Sequence, residues 1–380
     1  MAEKSTSEER TVIIVGAGFA GVAAFTQLST SLDADTKLIL ISPRPYLIHL
    51  PAAHRLVITP DEPNLADNVL IPLPSRLNQG NRKTVQAKVD SITDEGTTRF
   101  VTLDNGETIK YTVLILAPGS KWESPFDFPD TKEGTLEKLR ELHARFEKSN
   151  DIVLVGGGAV SIELSGEIKD EWPTKNLTVV HSRDLLLNDA YPEHWRSNVA
   201  EGLKKRGINL VLGERVDDVE PKDGKISTRS GKVIPADLVM ATRGPRPNTD
   251  FISSSLGANV VTDSGHIKVK PTLQLPSHPH VFALGDIIDW DEQKSARKGV
   301  NQARTVVCPN VVAFLKDPTT NNMTTYSSMF EKLTLTNGRN GGTMYIGKLW
   351  GLTFGDWVTS RKASKNLYMP GIRRQLRLNP

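Results

Sequence analysis

The feature that most constrains this chain is a glycine cluster that occurs twice, each time between an apolar strand and a helix. Residues Thr11 to Val15 form a short β-branched run, Gly16-Ala-Gly18-Phe-Ala-Gly21 follows at once, and Val22 to Ser29 reads as helix. Lys37 to Ile41 then reads as the second strand of one βαβ unit. The second copy comes about 140 residues later: strand Asp151 to Val155, then Gly156-Gly-Gly158-Ala-Val-Ser161-Ile-Glu163, a helix through Lys169, and strand Leu177 to Val180. Such a turn has a physical logic. The first glycine permits a tight reversal, the second lets backbone approach a pyrophosphate, and the third allows close helix packing, while the helix N-terminus favours negative charge.

Further segments repeat at similar distances after each cluster. Thr112 to Leu116 runs into Ala117-Pro118-Gly119, and Asp237 to Ala241 runs into Thr242-Arg243-Gly244. Two dinucleotide folds are implied. Alternation between Val85 and Lys110 around Asp104-Asn105-Gly106 suits a small β insertion. Val281 to Leu284 is another short strand, ending in Gly285-Asp286, and a helix is expected from about Ser295 to Leu315. Tyr326 to about Ser360, rich in Gly, Thr and aromatics, reads as strands with tight turns.

Composition excludes several classes. At 380 residues the chain exceeds one ordinary core, and its net charge of +3 gives no broad electrostatic footprint, so nucleic acid is not an expected partner. The local exception is a basic C-terminal tail containing Arg361, Lys362, Lys365, Arg373, Arg374 and Arg377. The single cysteine, Cys308, rules out a dithiol redox pair within one chain. The eight histidines are scattered, no Cys/His spacing fits zinc, and no metal is expected. No apolar run reaches bilayer-spanning length, and the leader Met1 to Arg10 reads as neither signal nor transit peptide. A location in the cytoplasm or on its membrane faces is therefore expected, and Ala2, where N-myristoylation needs glycine, argues against that anchor.

In the order of these motifs the chain resembles the pyridine-nucleotide and flavin oxidoreductases. More narrowly it resembles the apoptosis-inducing-factor homologues of the mitochondrion-associated, ferroptosis-suppressing type and their fungal relatives. The likeness runs from Thr11 to the C-terminus. It is carried by Tyr46-Leu-Ile-His49-Leu-Pro51-Ala-Ala-His-Arg55, Val155 to Glu163, Val179-Val-His181-Ser182, Ala283-Leu-Gly285-Asp286, and Leu335-Thr-Asn-Gly338-Arg-Asn-Gly341 with Tyr345-Ile-Gly347-Lys348. The resemblance implies an α/β, glutathione-reductase-like fold with two Rossmann-like domains and a smaller C-terminal α+β domain. It assigns residues 11–120 and 262–325 to FAD, 121–261 to NAD(P)H, and 326–380 to the C-terminal domain.

The same resemblance implies the site. For FAD it points to Gly16, Gly18, Phe19, Ala20 and Gly21, to Ala87 and Val89, to Ala117, Pro118 and Gly119, and to Gly285, Asp286 and Gln302, with Asp286 on the ribityl chain. Arg55 is assigned to the pyrophosphate, and His49 to the flavin's vicinity or the acceptor pocket. Where such domains usually carry an acid for the adenosine ribose, this chain has Ser42, whose hydroxyl can still bond a ribose, and Arg44, expected near adenine or a phosphate. For the nicotinamide cofactor it points to Gly156, Gly158, Ala159 and Val160, to His181, Ser182 and Arg183, and to Arg243 and Gly244. With no carboxylate at the second strand end, and Arg183 able to pair with a 2′-phosphate, both NADH and NADPH are expected substrates. Glu163 is the acid expected to hold the nicotinamide carboxamide.

Relatives that reduce disulfides place two cysteines in the loop 45–55, and this chain has none. Three functions fit. The first is an NAD(P)H:quinone-type reductase, peripheral on a membrane such as the mitochondrial outer face or a lipid droplet, with Trp350, Leu352, Phe354, Trp357 and the basic tail as an interfacial patch. The second is a reductase of a small electron-transfer protein, and the third a slow, redox-sensing effector. Monomer and homodimer both remain open.

Overall fold

The computed structural model describes residues 10–123 and 126–378. Strand Thr11–Val15 lies inside a six-stranded sheet whose order, edge to edge, is Gln274–Leu275, His278–Ala283, Val113–Leu116, Thr11–Val15, Lys37–Ser42 and Arg82–Gln86. Only the Gln274–Leu275 edge is antiparallel. Parallel strands are covered on both faces, so they read as unbroken apolar runs, and Val12, Ile13 and Ile14 are fully buried. Residues Thr11 to Val15 pair with Lys37 to Ile41 on one side, and Val12 to Val15 with Val113 to Leu116 on the other.

A four-stranded parallel sheet repeats the plan in the order Ile208–Val211, Asn176–Val180, Asp151–Val155, Leu238–Ala241. Each glycine turn therefore leaves a central strand between the strand that follows its helix and the strand that ends near Gly119 or Gly244. Both of those glycines have positive φ, +69° and +100°. Just beyond them Ser120–Lys121 pairs antiparallel with Arg246–Pro247, joining the two sheets.

A third, antiparallel sheet of Lys332–Thr336, Gly342–Ile346 and Leu352–Phe354 packs against the second glycine helix, Ala159–Glu171, and the helix Glu193–Lys205. The chain then turns helical through Asp356–Thr359, Ser360–Ser364 and Met369–Gln375.

Three elements differ from their sequence reading. The first glycine helix begins at Phe19, because Phe19-Ala20-Gly21 has helical backbone but no apolar periodicity. Val85 belongs to the parallel sheet, and the insertion is a three-stranded meander, Val89–Glu95, Thr98–Leu103 and Thr108–Lys110. The basic tail is an ordered, amphipathic segment: Leu367, Ile372, Leu376 and Leu378 are buried while Arg361, Lys362, Lys365, Arg374 and Arg377 face solvent. The dense cations mask that pattern in the sequence.

The two turns solve one steric problem differently. A Cβ on Gly21 would lie 1.9 Å from the Gly16 carbonyl oxygen. The matching Ser161 instead donates its hydroxyl to the Gly156 carbonyl and pairs with the Thr242 hydroxyl at 2.6 Å. Urea unfolding is expected to show G21A destabilised by more than about 2 kcal/mol through overpacking, and S161A by about 1 kcal/mol through a lost hydrogen bond. Equal losses would contradict this account.

Candidate active site

Three segments converge over the first turn. Gly16 (φ +105°) packs so closely that a Cβ there would sit 2.2 Å from the Ala117 oxygen, whereas a Cβ on Gly18 would meet nothing within 4 Å. Gly18 also precedes the helix Phe19–Ser31 and offers no side-chain cap, so the first-turn amides and the positive end of the helix dipole face that open space. From the second segment, Ser120 donates its hydroxyl to Asp286 Oδ2 at 2.8 Å, setting Pro118 and Gly119 beside the Gly285–Ile287 turn. A Cβ on Gly285 (φ +82°) would lie 3.4 Å from the Ala20 Cβ, and the buried Gln302 side chain accepts a hydrogen bond from the Gly285 amide at 2.7 Å.

His49 approaches from the segment Tyr46 to Ile58. Its ring lies 5.9 Å from that of Phe19, and its Nε2 donates to the Leu367 carbonyl at 2.6 Å. Burial pushes its pKa down, so the imidazole is neutral and Nδ1 is an acceptor. That Nδ1 is buried and has no partner. An open glycine face at an uncapped helix end, a carboxylate at Asp286 and an orphaned acceptor next to Phe19 together fit an anionic dinucleotide.

At the second turn Gly156 has φ +126°, and Gly158 again faces open space. Glu163, half-buried on the second glycine helix, accepts hydrogen bonds from the Thr336 amide at 3.1 Å and its hydroxyl at 3.2 Å. Desolvation outweighs both bonds, the neighbouring Glu167 adds to it, and the carboxyl is pushed up to about 8. A carboxyl raised this far holds its proton more readily near neutral pH and can then donate a hydrogen bond. Tyr368, on the residue after Leu367, lies within the field of Glu163 and bonds the Thr334 hydroxyl at 2.9 Å, so the C-terminal segment links His49 to Glu163.

The structure corrects three assignments. Arg55 is fully buried and does not turn to a pyrophosphate: Nε and Nη2 clamp Glu167 at 2.9 and 2.7 Å, and Nη1 and Nη2 donate to the carbonyls of Lys365 and Ser364 at 3.0 and 2.6 Å. Arg44 is drawn away to the carbonyls of Phe128 and Pro129 and to Asp130. His181 does not offer itself to a ribose. Its Nδ1 accepts from the Gly157 amide at 3.0 Å and its Nε2 donates to Leu187 at 3.2 Å, so it staples the loop at Leu187 to the turn. Val89 packs its side chain among Ile92, Val101 and Leu103, which leaves its backbone for the FAD assignment.

The remaining positions keep a place at the rim. The buried Ser42 receives the Arg44 amide on its hydroxyl and the Ala87 amide on its carbonyl, closing the turn after its strand. Ser182, Arg183, Arg243 and Gly244 are exposed at the second strand ends, and Ala159 and Val160 open the second glycine helix. Sequence reasoning missed Ser120, Glu167, Leu367 and Tyr368. Only Ser120, directly after the Ala117-Pro118-Gly119 turn, carried a local signal.

Residues 10–305 match the family model described as pyridine nucleotide-disulphide oxidoreductase. The chain belongs to this family. It is therefore an FAD- and NAD(P)H-using oxidoreductase. Among curated relatives it is 39% identical over 318 residues to FAD-dependent oxidoreductase FVFD30 of Flammulina velutipes, covering 83% of this chain and 98% of that one. It is 30% identical to ferroptosis suppressor protein 1 of Taeniopygia guttata, over 94% of this chain and 93% of that one, so the resemblance seen in the motifs is borne out. The sulfide:quinone oxidoreductase of Aquifex aeolicus shares the fold, with a TM-score of 0.76 at 19% identity over 96% of this chain and 92% of that one. Within a family named for disulphides, this member has one cysteine, and Cys308 is buried against the Ala24 carbonyl with its thiol pushed up to about 12. It is a packing residue.

Breaking the Arg55 clamp tests its structural role. R55M leaves Glu167 as a buried, uncompensated charge and is expected to cost about 3–5 kcal/mol in urea unfolding, whereas R55M/E167M recovers most of it. A double variant no more stable than R55M would refute the ion-pair account.

Proposed function

We propose that this protein passes reducing equivalents from NAD(P)H through FAD to a quinone-type acceptor. The observation that carries the reading is the absence of a usable thiol: the lone Cys308 is sequestered, so no dithiol on this chain can receive electrons. The quinone enters from the family resemblance of the motifs, and the sulfide:quinone oxidoreductase that shares the fold is named for the same class of acceptor. FAD, when bound, supplies hydride acceptance and electron release.

In this reading residues 11–120 and 262–325 hold FAD, 121–261 hold the nicotinamide cofactor, and 326–380 close the site. The amides of Phe19, Ala20 and Gly21 take the FAD pyrophosphate, Asp286 the polyol, and His49 Nδ1 a donor on the ring system. The amides after Gly158 take the second pyrophosphate, and the exposed Ser182 and Arg183 meet the ribose or its 2′-phosphate, so both nicotinamide cofactors are accepted. Protonated Glu163 donates to the carboxamide and orients the ring.

Purified protein should carry a flavin spectrum that bleaches anaerobically with NADH and NADPH and recovers rapidly on adding a soluble quinone. Recovery with a ferredoxin alone would favour the electron-carrier reading, and no flavin would sink the proposal. E163A should slow bleaching about tenfold or more with FAD retained, while E163Q, which keeps a donor, should stay within a few-fold of wild type. Because the folded carboxyl is raised from about 4.5 to about 8, the donor form persists below pH 8 and is lost above it. Wild-type bleaching should fall as pH rises through 8, and that of E163Q should not.

The C-terminal unit supports a peripheral position at a lipid surface. Trp350 is 102% exposed, Leu349 74% and Trp357 71%, and Arg361, Lys362 and Lys365 follow them in the chain and face solvent. No helix among the described residues is long and apolar enough to cross a membrane. Cosedimentation with vesicles containing phosphatidylserine is expected, and W350S/W357S should weaken it at least several-fold. Equal binding by the variant would remove these residues from the account.

A further inference from the structure

Beneath the Gly285–Asp286 turn lies a buried charged cluster that nothing above assigns. Glu292 and Lys298 have side chains only 2% exposed. The Glu292 carboxylate accepts from Gln302 Nε2 at 2.9 Å, from the Tyr326 hydroxyl at 2.8 and 3.0 Å and from the Met329 amide at 3.3 Å, with Lys298 Nζ at 3.6 Å. Lys298 Nζ also meets Glu331 at 2.5 Å. Burying a carboxylate is costly, and an apolar residue would fill the same volume at less expense. The charge therefore calls for a specific task.

That task is visible in the partner of Gln302. A carboxamide has one acceptor end and one donor end, and here both are spoken for: Oε1 receives the Gly285 amide, and Nε2 gives to Glu292. An apolar residue at 292 would leave the amide free to reverse, presenting N–H to N–H at Gly285. The helix carrying Gln302, Ala296–Gln302, is itself pressed against the turn, since a Cβ on Gly299 would lie 3.1 Å from the Ala20 Cβ and 3.4 Å from the Gly285 Cα. We propose that Glu292 and Gln302 act as a positioning pair, in which the buried carboxylate fixes the orientation of the carboxamide and the carboxamide fixes the Gly285–Asp286 turn for the flavin. Neither residue touches the reacting atoms. From the linker that leads into the C-terminal sheet, Tyr326 holds Glu292 directly and Glu331 holds its neighbour Lys298.

The inference rests on FAD lying at the first glycine turn, and exchanging the two groups tests it separately from that placement. In Q302E two carboxylates face each other with no proton donor between them. In Q302E/E292Q the pair is restored in reverse: the carboxylate now at position 302 accepts from the Gly285 amide and from the carboxamide now at position 292, whose oxygen still accepts from Tyr326. FAD release from the holoprotein, followed by its fluorescence, is expected at least tenfold faster in Q302E and within about threefold of wild type in the exchanged variant. V153A, a cavity in the other sheet, serves as the control: it should lower the thermal midpoint without changing FAD release. Q302E that fails to fold alone but returns folded and flavin-loaded with E292Q is the same support. Unchanged release in Q302E, an exchanged variant that leaks or fails to fold, or V153A leaking as Q302E does would overturn the proposal. A wild-type protein without FAD would instead overturn the placement on which it rests.

Discussion

Arg55 is wholly buried, and its four hydrogen bonds go to parts of the chain that are far apart in sequence: Glu167 on the second glycine helix and the carbonyls of Ser364 and Lys365 near the C-terminus. The residue itself belongs to the helix Leu50–Ile58, which leads away from His49. One guanidinium thus ties the helix Leu50–Ile58, the second glycine helix and the segment at Ser364 and Lys365 together. A bidentate carboxylate contact has little angular freedom, so it sets orientation as well as separation. Arg339 adds an outer tie of the same kind, donating to Glu62 at 3.3 Å through Nη1 and to Asp170 through its amide at 2.6 Å.

The clamp also separates two neighbouring carboxyls. Glu163 and Glu167 lie one turn apart on the same helix, but Arg55 gives both its charge-assisted bonds to Glu167. Glu163 receives only the more distant field of Arg55 together with two bonds from Thr336, and these fall short of its desolvation cost. The two carboxyls therefore lie in different surroundings, and desolvation raises that of Glu163. Desolvation of this kind is a recurrent means of obtaining a proton-bearing acid near neutral pH.

The two βαβ units, the flanking strands and the Gly-Asp turn were legible because their chemistry is local. Gly16, Gly21 and Gly156 are dictated by neighbours within the turn or on the adjacent strand, and buried parallel strands leave unbroken apolar runs. Arg55, Arg44 and His181 were misread for the opposite reason. Each is a polar residue at a position where cofactor contact is plausible, and each is claimed by a backbone carbonyl or carboxylate that sequence reasoning could not place. The partners of Arg55 lie 112 and about 310 residues away. His181 shows a subtler limit: its neighbours at Gly157 and Leu187 are close in sequence, but only the loop's path reveals that the ring closes the turn. The order of the basic tail was hidden as well, since its buried leucines are outnumbered by the cations between them.

All three groups that the site depends on end on the C-terminal unit: Glu163 on Thr336, His49 on the Leu367 carbonyl, Arg55 on Ser364 and Lys365. The two βαβ units supply rigid turns, the Leu367 carbonyl sets the tautomer of His49, and the two Thr336 bonds partly offset the desolvation that raises Glu163. The family model stops at residue 305, short of every one of these contacts. The part of the chain that fixes the shared fold is therefore distinct from the part that orients these side chains. With a single cysteine and no dithiol, this member keeps the shared turns and holds the side chains beside them through that later segment.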